Sequence, residues 1–187
     1  MKHIFFFDLD GTLTDSGEGI LNCVRHALDL QNWPYPSDEN LRRFIGPPLI
    51  DSFMDIAGMN KQQAQQAVRD YRARYSTGGL FENRVYDGIS DVLKALHDAG
   101  KRCFMVTSKP EAFSVRIADK FGLTPYLESI CGATLDGKMD SKEQIVELAL
   151  QRAGNPDPSD VEMIGDRLFD VEGSRKHGID CTYVLYG

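Results

Sequence analysis

The sequence predicts an α/β fold, a doubly wound parallel sheet that carries a helical insertion, and three observations predict it. Apolar runs bounded by turn-forming residues recur along the chain, and most are rich in the β-branched or aromatic residues of buried strands. Segments with the period of amphipathic helices lie between the later runs. A long stretch of helical period also interrupts the alternation after the first run. Strands that alternate with helices are typical of a parallel sheet covered by helices on both faces.

Each of the five apolar runs is predicted to form a strand. They are His3 to Phe7, Arg102 to Val106, Ser129 to Cys131, Val161 to Ile164 and Cys181 to Leu185. Between the later strands, apolar faces of helical period begin at Ile89, Phe113, Ile145 and Leu168. A glycine stands after each helical segment, where a C-terminal cap is expected. These glycines are Gly100, Gly122, Gly154 and Gly178.

The first strand is followed by an insertion. About seventy residues separate Asp15 from the next strand-and-helix unit, whereas an ordinary crossover needs roughly a dozen. The insertion has helical faces such as Ile20 to Leu28 and Ala64 to Tyr75, and Asn60 is suited to cap the second. We therefore predict a core of residues 1–15 and 84–187 with a helical domain of residues 16–83.

Composition excludes several classes of protein. The 28 acidic side chains outnumber the 21 basic ones, and the net charge of −7 disfavours a nucleic-acid partner. No apolar run approaches the roughly 20 residues of a membrane helix. The start of the sequence shows no signal-peptide pattern, so a cytoplasmic location is expected. Nothing in the sequence indicates an oligomeric state.

Four aspartates stand at the predicted ends of two strands. Asp8 and Asp10 follow the first strand, and Asp166 and Asp170 follow the strand that ends at Ile164. Because ligands bind at the carboxyl ends of parallel strands, these carboxylates would converge. A lone aspartate there more simply caps a turn. Four of them repel one another unless a cation intervenes, and oxygen ligands of this kind suit Mg²⁺.

Two helix starts carry further candidates. The segment Ser141 to Gln144 matches a capping box that puts Lys142 at the first helical position. A cation there opposes the helix dipole at a cost of about 0.3 to 1 kcal/mol, so either a nearby anion compensates it or the lysine faces solvent. Ser108 and Glu111 also match a capping box, with Pro110 at an early helical position, and that helix start is favourable for an anion.

Together these residues resemble the haloacid dehalogenase superfamily of phosphatases, over nearly the whole chain. Its first motif, Asp-x-Asp-Gly-Thr at the end of a strand, is matched by Asp8 to Thr12. Its second and third motifs, a Thr or Ser and a lysine, would be Thr107 and Lys142. Its fourth, Gly-Asp-x-x-x-Asp, is matched by Gly165 to Asp170. The first and fourth motifs together argue against a chance match, whereas a single lysine is weak evidence by itself.

The resemblance implies a catalytic role for four residues. Asp8 would attack phosphorus and form an aspartyl-phosphate. Asp10 would protonate the leaving alcohol and then deprotonate the attacking water. Thr107 and Lys142 would bind the phosphoryl oxygens, and Lys142 would also pair with Asp8.

The resemblance also implies a cofactor and a substrate class. Mg²⁺ would be held by the Asp8 carboxylate, the Asp10 main-chain carbonyl and Asp166, with Asp170 acting directly or through water. The helical insertion resembles the α-helical cap of the superfamily, and Phe44 to Leu49 resembles the cap loop of phosphoglycolate phosphatases. The implied substrate is a small phosphorylated metabolite.

Two further residues are candidates for substrate binding. Ser108 would join Thr107 at the end of its strand. Arg43, just before the cap loop, would bind the non-reacting end of an anionic substrate, unless it faces solvent. Members of the superfamily usually continue past the last strand with another helix and a short strand, whereas this sequence stops at Gly187.

Several alternatives stay open. Within enzymes they are a 5'-nucleotidase, a pyrophosphatase and a mutase similar to β-phosphoglucomutase, because all share the core motifs and differ in the cap. From other classes come a receiver-like phospho-signalling domain and a non-catalytic binding protein. Asp10 argues against a receiver, which has no proton-donating aspartate two residues after its phosphate acceptor.

Overall fold

A computed structural model describes residues 2–187, so the first residue of the predicted segment 1–15 lies outside the described residues. The chain forms two compact units. One combines Val85–Gly187 with the chain up to Asp15, and the other is Ser16–Arg84. We call the first the core unit and the second the helical unit.

The described residues form seven strands and eight α-helices. The strands are β1 (Ile4–Phe7), β2 (Thr14–Asp15), β3 (Arg84–Val85), β4 (Arg102–Pro110), β5 (Ser129–Ala133), β6 (Val161–Gly165) and β7 (Asp180–Tyr183). The helices are α1 (Gly17–Leu30), α2 (Asp38–Arg42), α3 (Leu49–Asp55), α4 (Lys61–Thr77), α5 (Ile89–Asp98), α6 (Glu111–Lys120), α7 (Lys142–Arg152) and α8 (Leu168–Arg175). Short 3-10 turns lie at Gly79–Phe81, Thr124–Tyr126 and Pro158–Asp160. None of the helices in this part of the chain is long and apolar enough to cross a membrane.

The core unit contains a parallel sheet with the strand order β5-β4-β1-β6-β7, which confirms the predicted fold class. Phe6 in the central strand pairs with Phe104 on one side and Met163 on the other. The direction in which strands are added reverses at β1. A crevice for ligands is therefore expected at the carboxyl ends of β1, β4 and β6.

Buried apolar side chains join the sheet to its helices. Phe6 and Phe104 pack edge to face with ring centroids 5.5 Å apart, and Ile145 and Val146 of α7 belong to the same buried cluster. Burying side chains of this kind stabilises the fold by roughly 1.5 to 3 kcal/mol each. The predicted glycine caps are confirmed, since all four glycines have positive φ. They are Gly100, Gly122, Gly154 and Gly178.

All five predicted strands differ from the observed ones at one end or both, and the ends of β4 and β7 have a clear physical cause. β4 continues past Val106 to Pro110, and α6 begins at Glu111 without a side-chain cap, so the capping box expected from Ser108 and Glu111 is wrong. The physical reason is that Pro110 disfavours helical backbone in the residue before it, while Pro110 itself pairs with Ala133 of β5. β7 ends at Tyr183 rather than Leu185, because its partner β6 ends at Gly165.

The helical unit has its own buried contacts. Phe44 and Phe53 pack edge to face with ring centroids 5.1 Å apart, and the rings of Tyr71 and Tyr75 are stacked at 5.4 Å. Asn60 caps α4 by accepting a hydrogen bond from the Gln63 amide, as the sequence predicts. Most of this unit is helical, as the sequence predicts. Its action as a cap stays a prediction.

Candidate active site

A buried lysine lies between two buried aspartates at the carboxyl end of the sheet. Lys142 Nζ is 2.6 Å from Asp8 Oδ1 and 2.6 Å from Asp170 Oδ1, and it also donates to the Val106 carbonyl at 2.9 Å. The Lys142 side chain is 4% exposed and the Asp170 side chain 1%. Charged groups this deeply buried need partners of opposite charge. Here Lys142 is the partner of both aspartates, and they are its partners.

Local structure places these groups. Asp8 directly follows β1, and its amide donates to the Ile164 carbonyl of β6 at 2.9 Å. Lys142 is the first residue of α7, where Ser141 and Gln144 form the predicted capping box. The predicted helix position is thus confirmed, and the solvent-facing alternative for Lys142 is wrong. The two carboxylates are the anions that compensate a cation at a helix N-terminus.

A third aspartate completes the cluster. Asp166 follows β6, its Oδ1 accepts a hydrogen bond from Thr12 Oγ1 at 3.2 Å, and its Oδ2 lies 3.1 Å from Arg167 Nε. Among residues 2–187, no group donates a well-directed hydrogen bond to that Oδ2. Arg167 is the charge partner of that oxygen, and the remaining lone pairs of the carboxylate are available to a metal ion.

Burial shifts the acidity of the cluster. Desolvation raises the pKa of Asp8 to about 7 although Lys142 opposes the shift, and desolvation also raises the pKa of Asp166. The pKa of Lys142 is raised by Asp8 and Asp170, which outweigh the opposing effect of its own burial. Burial thus disfavours the ionised form of these carboxyl groups, and a cation bound to their oxygens would favour it.

These carboxylates fit a divalent cation. One oxygen from each of Asp8, Asp166 and Asp170 lies within 4.8 Å of the others. Donors that are all carboxylate oxygens favour a hard cation over a soft one. Asp10, whose contribution to a metal was predicted through its main-chain carbonyl, does not belong to this carboxylate cluster.

The neighbouring strand brings three more candidates to the same edge. Thr107 is buried and is the last residue of β4 before the register with β5 shifts. Its hydroxyl accepts a hydrogen bond from the Lys109 amide at 3.2 Å. Ser108 is exposed. Lys109 Nζ lies 2.8 Å from Asp10 Oδ1, a pair that the sequence patterns did not indicate. The one sequence signal for it was the position of Lys109 directly after Thr107 and Ser108.

Arg43 belongs to the helical unit. It follows the last residue of α2, is exposed, and donates from Nη1 to Asn40 Oδ1 at 3.1 Å. Its predicted contact with substrate stays a prediction.

Gly11 provides a test of the carboxylate cluster. Its φ is +87°, and a Cβ there would clash with the Asp166 carboxylate. Gly11→Ala is therefore expected to displace Asp166 and to weaken binding of a divalent cation at least about tenfold, measured by calorimetry with Mg²⁺ as the probe. Gly137→Ala is the matched control, because Gly137 has a φ of +74° with open space around it. Both variants lose roughly 1 to 2 kcal/mol of stability from backbone strain, so equal Mg²⁺ affinities would contradict the placement of the cation.

A family model described as haloacid dehalogenase-like hydrolase matches residues 5–184. A 5'-nucleotidase of Pseudomonas aeruginosa is 41% identical over 97% of this chain and 81% of that protein. The tyrosine-protein kinase PtkA of Mycobacterium tuberculosis is 39% identical over 98% of this chain, which spans 62% of PtkA. A phosphoglycolate phosphatase of Pseudomonas savastanoi is 27% identical over the whole of this chain and 71% of that protein.

Solved structures agree with the sequence relatives. A crystal structure described as a predicted phosphatase from Clostridium acetobutylicum superposes with a TM-score of 0.90 at 40% identity, over 100% of this chain and 86% of that one. A second crystal structure, of a protein from Clostridium difficile, gives a TM-score of 0.92 at 38% identity, with the same coverage. The fold of this chain is thus shared with these two solved structures.

Proposed function

This chain belongs to the haloacid dehalogenase-like hydrolase family, and on that premise we propose that it is a Mg²⁺-dependent phosphatase that forms an aspartyl-phosphate on Asp8. The observation that carries the proposal is the buried network in which Lys142 bridges Asp8 and Asp170, with Asp166 beside them. A nucleophilic carboxylate, a fixed cation and a place for a metal are the parts that phosphoryl transfer needs.

The proposed reaction has two displacements. A carboxylate oxygen of Asp8 attacks phosphorus, the ester P–O bond breaks, and Asp10 gives its proton to the leaving oxygen. Water then attacks the phosphorus of the aspartyl-phosphate, Asp10 takes a proton from it, and the bond to Asp8 breaks. Inorganic phosphate leaves and both aspartates return to their starting states.

The other residues hold the phosphoryl group and the charge. Lys142 orients Asp8 through Oδ1 and balances negative charge as the phosphoryl group approaches. The Thr107 hydroxyl lies at the same sheet edge and would bind a phosphoryl oxygen. Asp8, Asp166 and Asp170 would hold Mg²⁺, which reduces the repulsion between an anionic nucleophile and an anionic phosphate.

For the substrate we favour a nucleoside 5'-monophosphate over phosphoglycolate. The 5'-nucleotidase relative is 41% identical to this chain, whereas the phosphoglycolate phosphatase relative is 27% identical. This preference revises the substrate that the cap loop suggested. Both compounds are phosphate monoesters, so the core reaction is the same for either.

The test is a panel of phosphate monoesters that includes nucleoside 5'-monophosphates and phosphoglycolate. Phosphate release is measured with Mg²⁺, with chelator, and after Mg²⁺ is restored. We expect turnover to fall at least about a hundredfold on chelation and to return with the metal, since the cation offsets charge in the transition state. Ca²⁺ serves as a control cation of equal charge. Turnover that is indifferent to chelator, or its absence on every substrate, would refute the proposal.

A second candidate is phosphoryl transfer to a tyrosine hydroxyl, which is favoured by the 39% identity to PtkA. The two candidates differ in the group that receives phosphate. Incubation with ATP and a tyrosine peptide distinguishes them, because a hydrolase releases inorganic phosphate whereas a kinase labels the peptide. We expect no labelled peptide.

A further inference from the structure

A second lysine contacts the second aspartate of the first motif. Lys109 Nζ lies 2.8 Å from Asp10 Oδ1, and the Lys109 side chain is 7% exposed. Lysine is rarely buried to this degree without a specific partner. The pair joins β4 to the turn after β1, across 99 residues of sequence.

The backbone around Lys109 is held by β5. The register between β4 and β5 shifts between Thr107 and Pro110, a bulge that changes the direction of the intervening side chains. A Cβ on Gly132 would lie 2.7 Å from the Lys109 carbonyl oxygen and 2.6 Å from the Glu111 backbone. The absence of a side chain at Gly132 thus allows the Lys109 segment to lie directly against β5.

Side-chain contacts of Glu111 and Arg152 also hold the segment that follows Lys109. The Glu111 carboxylate accepts a hydrogen bond from the Gly132 amide at 3.2 Å and pairs with Arg152 at 3.1 Å. Arg152 also donates to the Ile130 carbonyl at 2.6 Å. Strand, helix start and α7 are therefore tied together, and Lys109 is held where its ammonium reaches Asp10.

We propose that Lys109 is a positioning residue for Asp10 that fixes its carboxyl group for proton transfer. The inference rests on the proposed function, in which Asp10 exchanges protons with the leaving group and with water. The contact with Lys109 uses Oδ1, so Oδ2 can carry the transferred proton while the pair persists. A carboxyl group held through one oxygen loses its rotational freedom, and orientation of this kind contributes to the rate.

The ratio of the rates with an alkyl and an aryl phosphate distinguishes a positioning role of Lys109 from a purely structural one. When an alkyl phosphate is cleaved, Oδ2 of Asp10 gives its proton to the leaving alkoxide as the P–O bond breaks. When p-nitrophenyl phosphate is cleaved, the stable phenolate leaves without that proton. Loss of Asp10 orientation therefore slows the alkyl substrate selectively, whereas damage to Asp8 or to the metal site slows both.

The experiment compares kcat/KM for an alkyl phosphate and for p-nitrophenyl phosphate, because kcat/KM covers steps only up to departure of the leaving group. Lys109→Met is expected to lower the alkyl value at least about tenfold more than the aryl value, a part of the roughly 10²- to 10⁴-fold effect of general acid catalysis. Lys109→Arg keeps the charge and should restore part of the ratio. Lys138→Met, at a lysine that is 84% exposed, should leave it unchanged.

A double variant separates positioning from folding. In the Asp10→Asn background, Lys109→Met should change the alkyl-to-aryl ratio no further, since the group that it positions is gone. Equal losses on both substrates from Lys109→Met, or an additional change of ratio in the Asp10→Asn background, would overturn the inference. If the unaltered protein cleaves neither substrate, the proposed function fails instead, so the two failures are distinguishable.

Discussion

Asp8→Asn is expected to lower turnover by at least about a thousandfold while the protein remains folded, because removal of a covalent nucleophile costs most of an enzyme's rate enhancement. An amide at this position keeps the size of the side chain but attacks phosphorus poorly. Lys142 retains Asp170 as a partner at 2.6 Å, so the buried ammonium is not left alone. Steady-state phosphate release gives the rate, and thermal unfolding checks the fold.

The matched control for Asp8→Asn is Asp136→Asn. Asp136 is an exposed aspartate that pairs with Lys138 at 3.0 Å and is not a member of the carboxylate cluster. Its replacement is expected to leave turnover unchanged within about twofold, as is usual for surface positions. If Asp8→Asn retained about a tenth of the rate, a loss too small for a missing nucleophile, another residue would have to attack phosphorus.

Lys142→Met is expected to lower both stability and turnover. Removing the ammonium leaves Asp8 and Asp170 buried without their shared cation, and breaking a buried ion pair in this way typically costs about 3 to 5 kcal/mol. Methionine preserves most of the side-chain volume, so loss of charge dominates the effect. Urea unfolding measures the free energy of unfolding, and phosphate release is expected to fall at least about a hundredfold.

Lys138→Met is the control for the loss of a lysine charge. Lys138 and Asp136 form an exposed ion pair, and such pairs contribute little to stability. A Lys142→Met protein that matched Lys138→Met in unfolding free energy would mean that Asp8 and Asp170 do not depend on the ammonium. Unchanged turnover in Lys142→Met would separate the lysine from catalysis.

Residues that act through local patterns could be predicted from the sequence. The helix start at Lys142 follows from the capping box of Ser141 and Gln144, and the glycine caps follow from their spacing after helical segments. The position of β1 between β4 and β6 is known only from the observed strand order. The convergence of Asp8 and Asp166 could be predicted without that order, because parallel strands all end at one edge of the sheet. These features depend on neighbours in sequence or on a general rule of sheets.

The Lys109–Asp10 pair could not be predicted, because it depends on tertiary contacts of β4. The sequence pattern at Ser108 and Glu111 is that of a helix start, whereas pairing with β5 keeps the chain extended to Pro110. Gly132 makes this possible, since any side chain there would meet the Lys109 segment. The competition between a local cap and a strand ladder was thus decided by a residue in another strand.

Thr12 and Gly11 show a related limit of the sequence. Both lie within the first motif, which the sequence identified as a unit without a separate task for either residue. In the structure, Thr12 donates to Asp166, and Gly11 makes room for the same carboxylate. Their roles depend on β6, which is about 150 residues away, and a non-local contact of this kind leaves no periodic signal in the chain.

The most direct test of covalent catalysis by Asp8 is to trap the phosphorylated protein. The reaction is quenched with acid during turnover, and the peptides are examined by mass spectrometry before and after borohydride reduction, which converts an acyl-phosphate to an alcohol. We expect phosphate on the peptide that contains Asp8, and reduction of Asp8 to homoserine. Phosphate on a different residue, or turnover in which no phosphorylated peptide is trapped at any quench time, would contradict it.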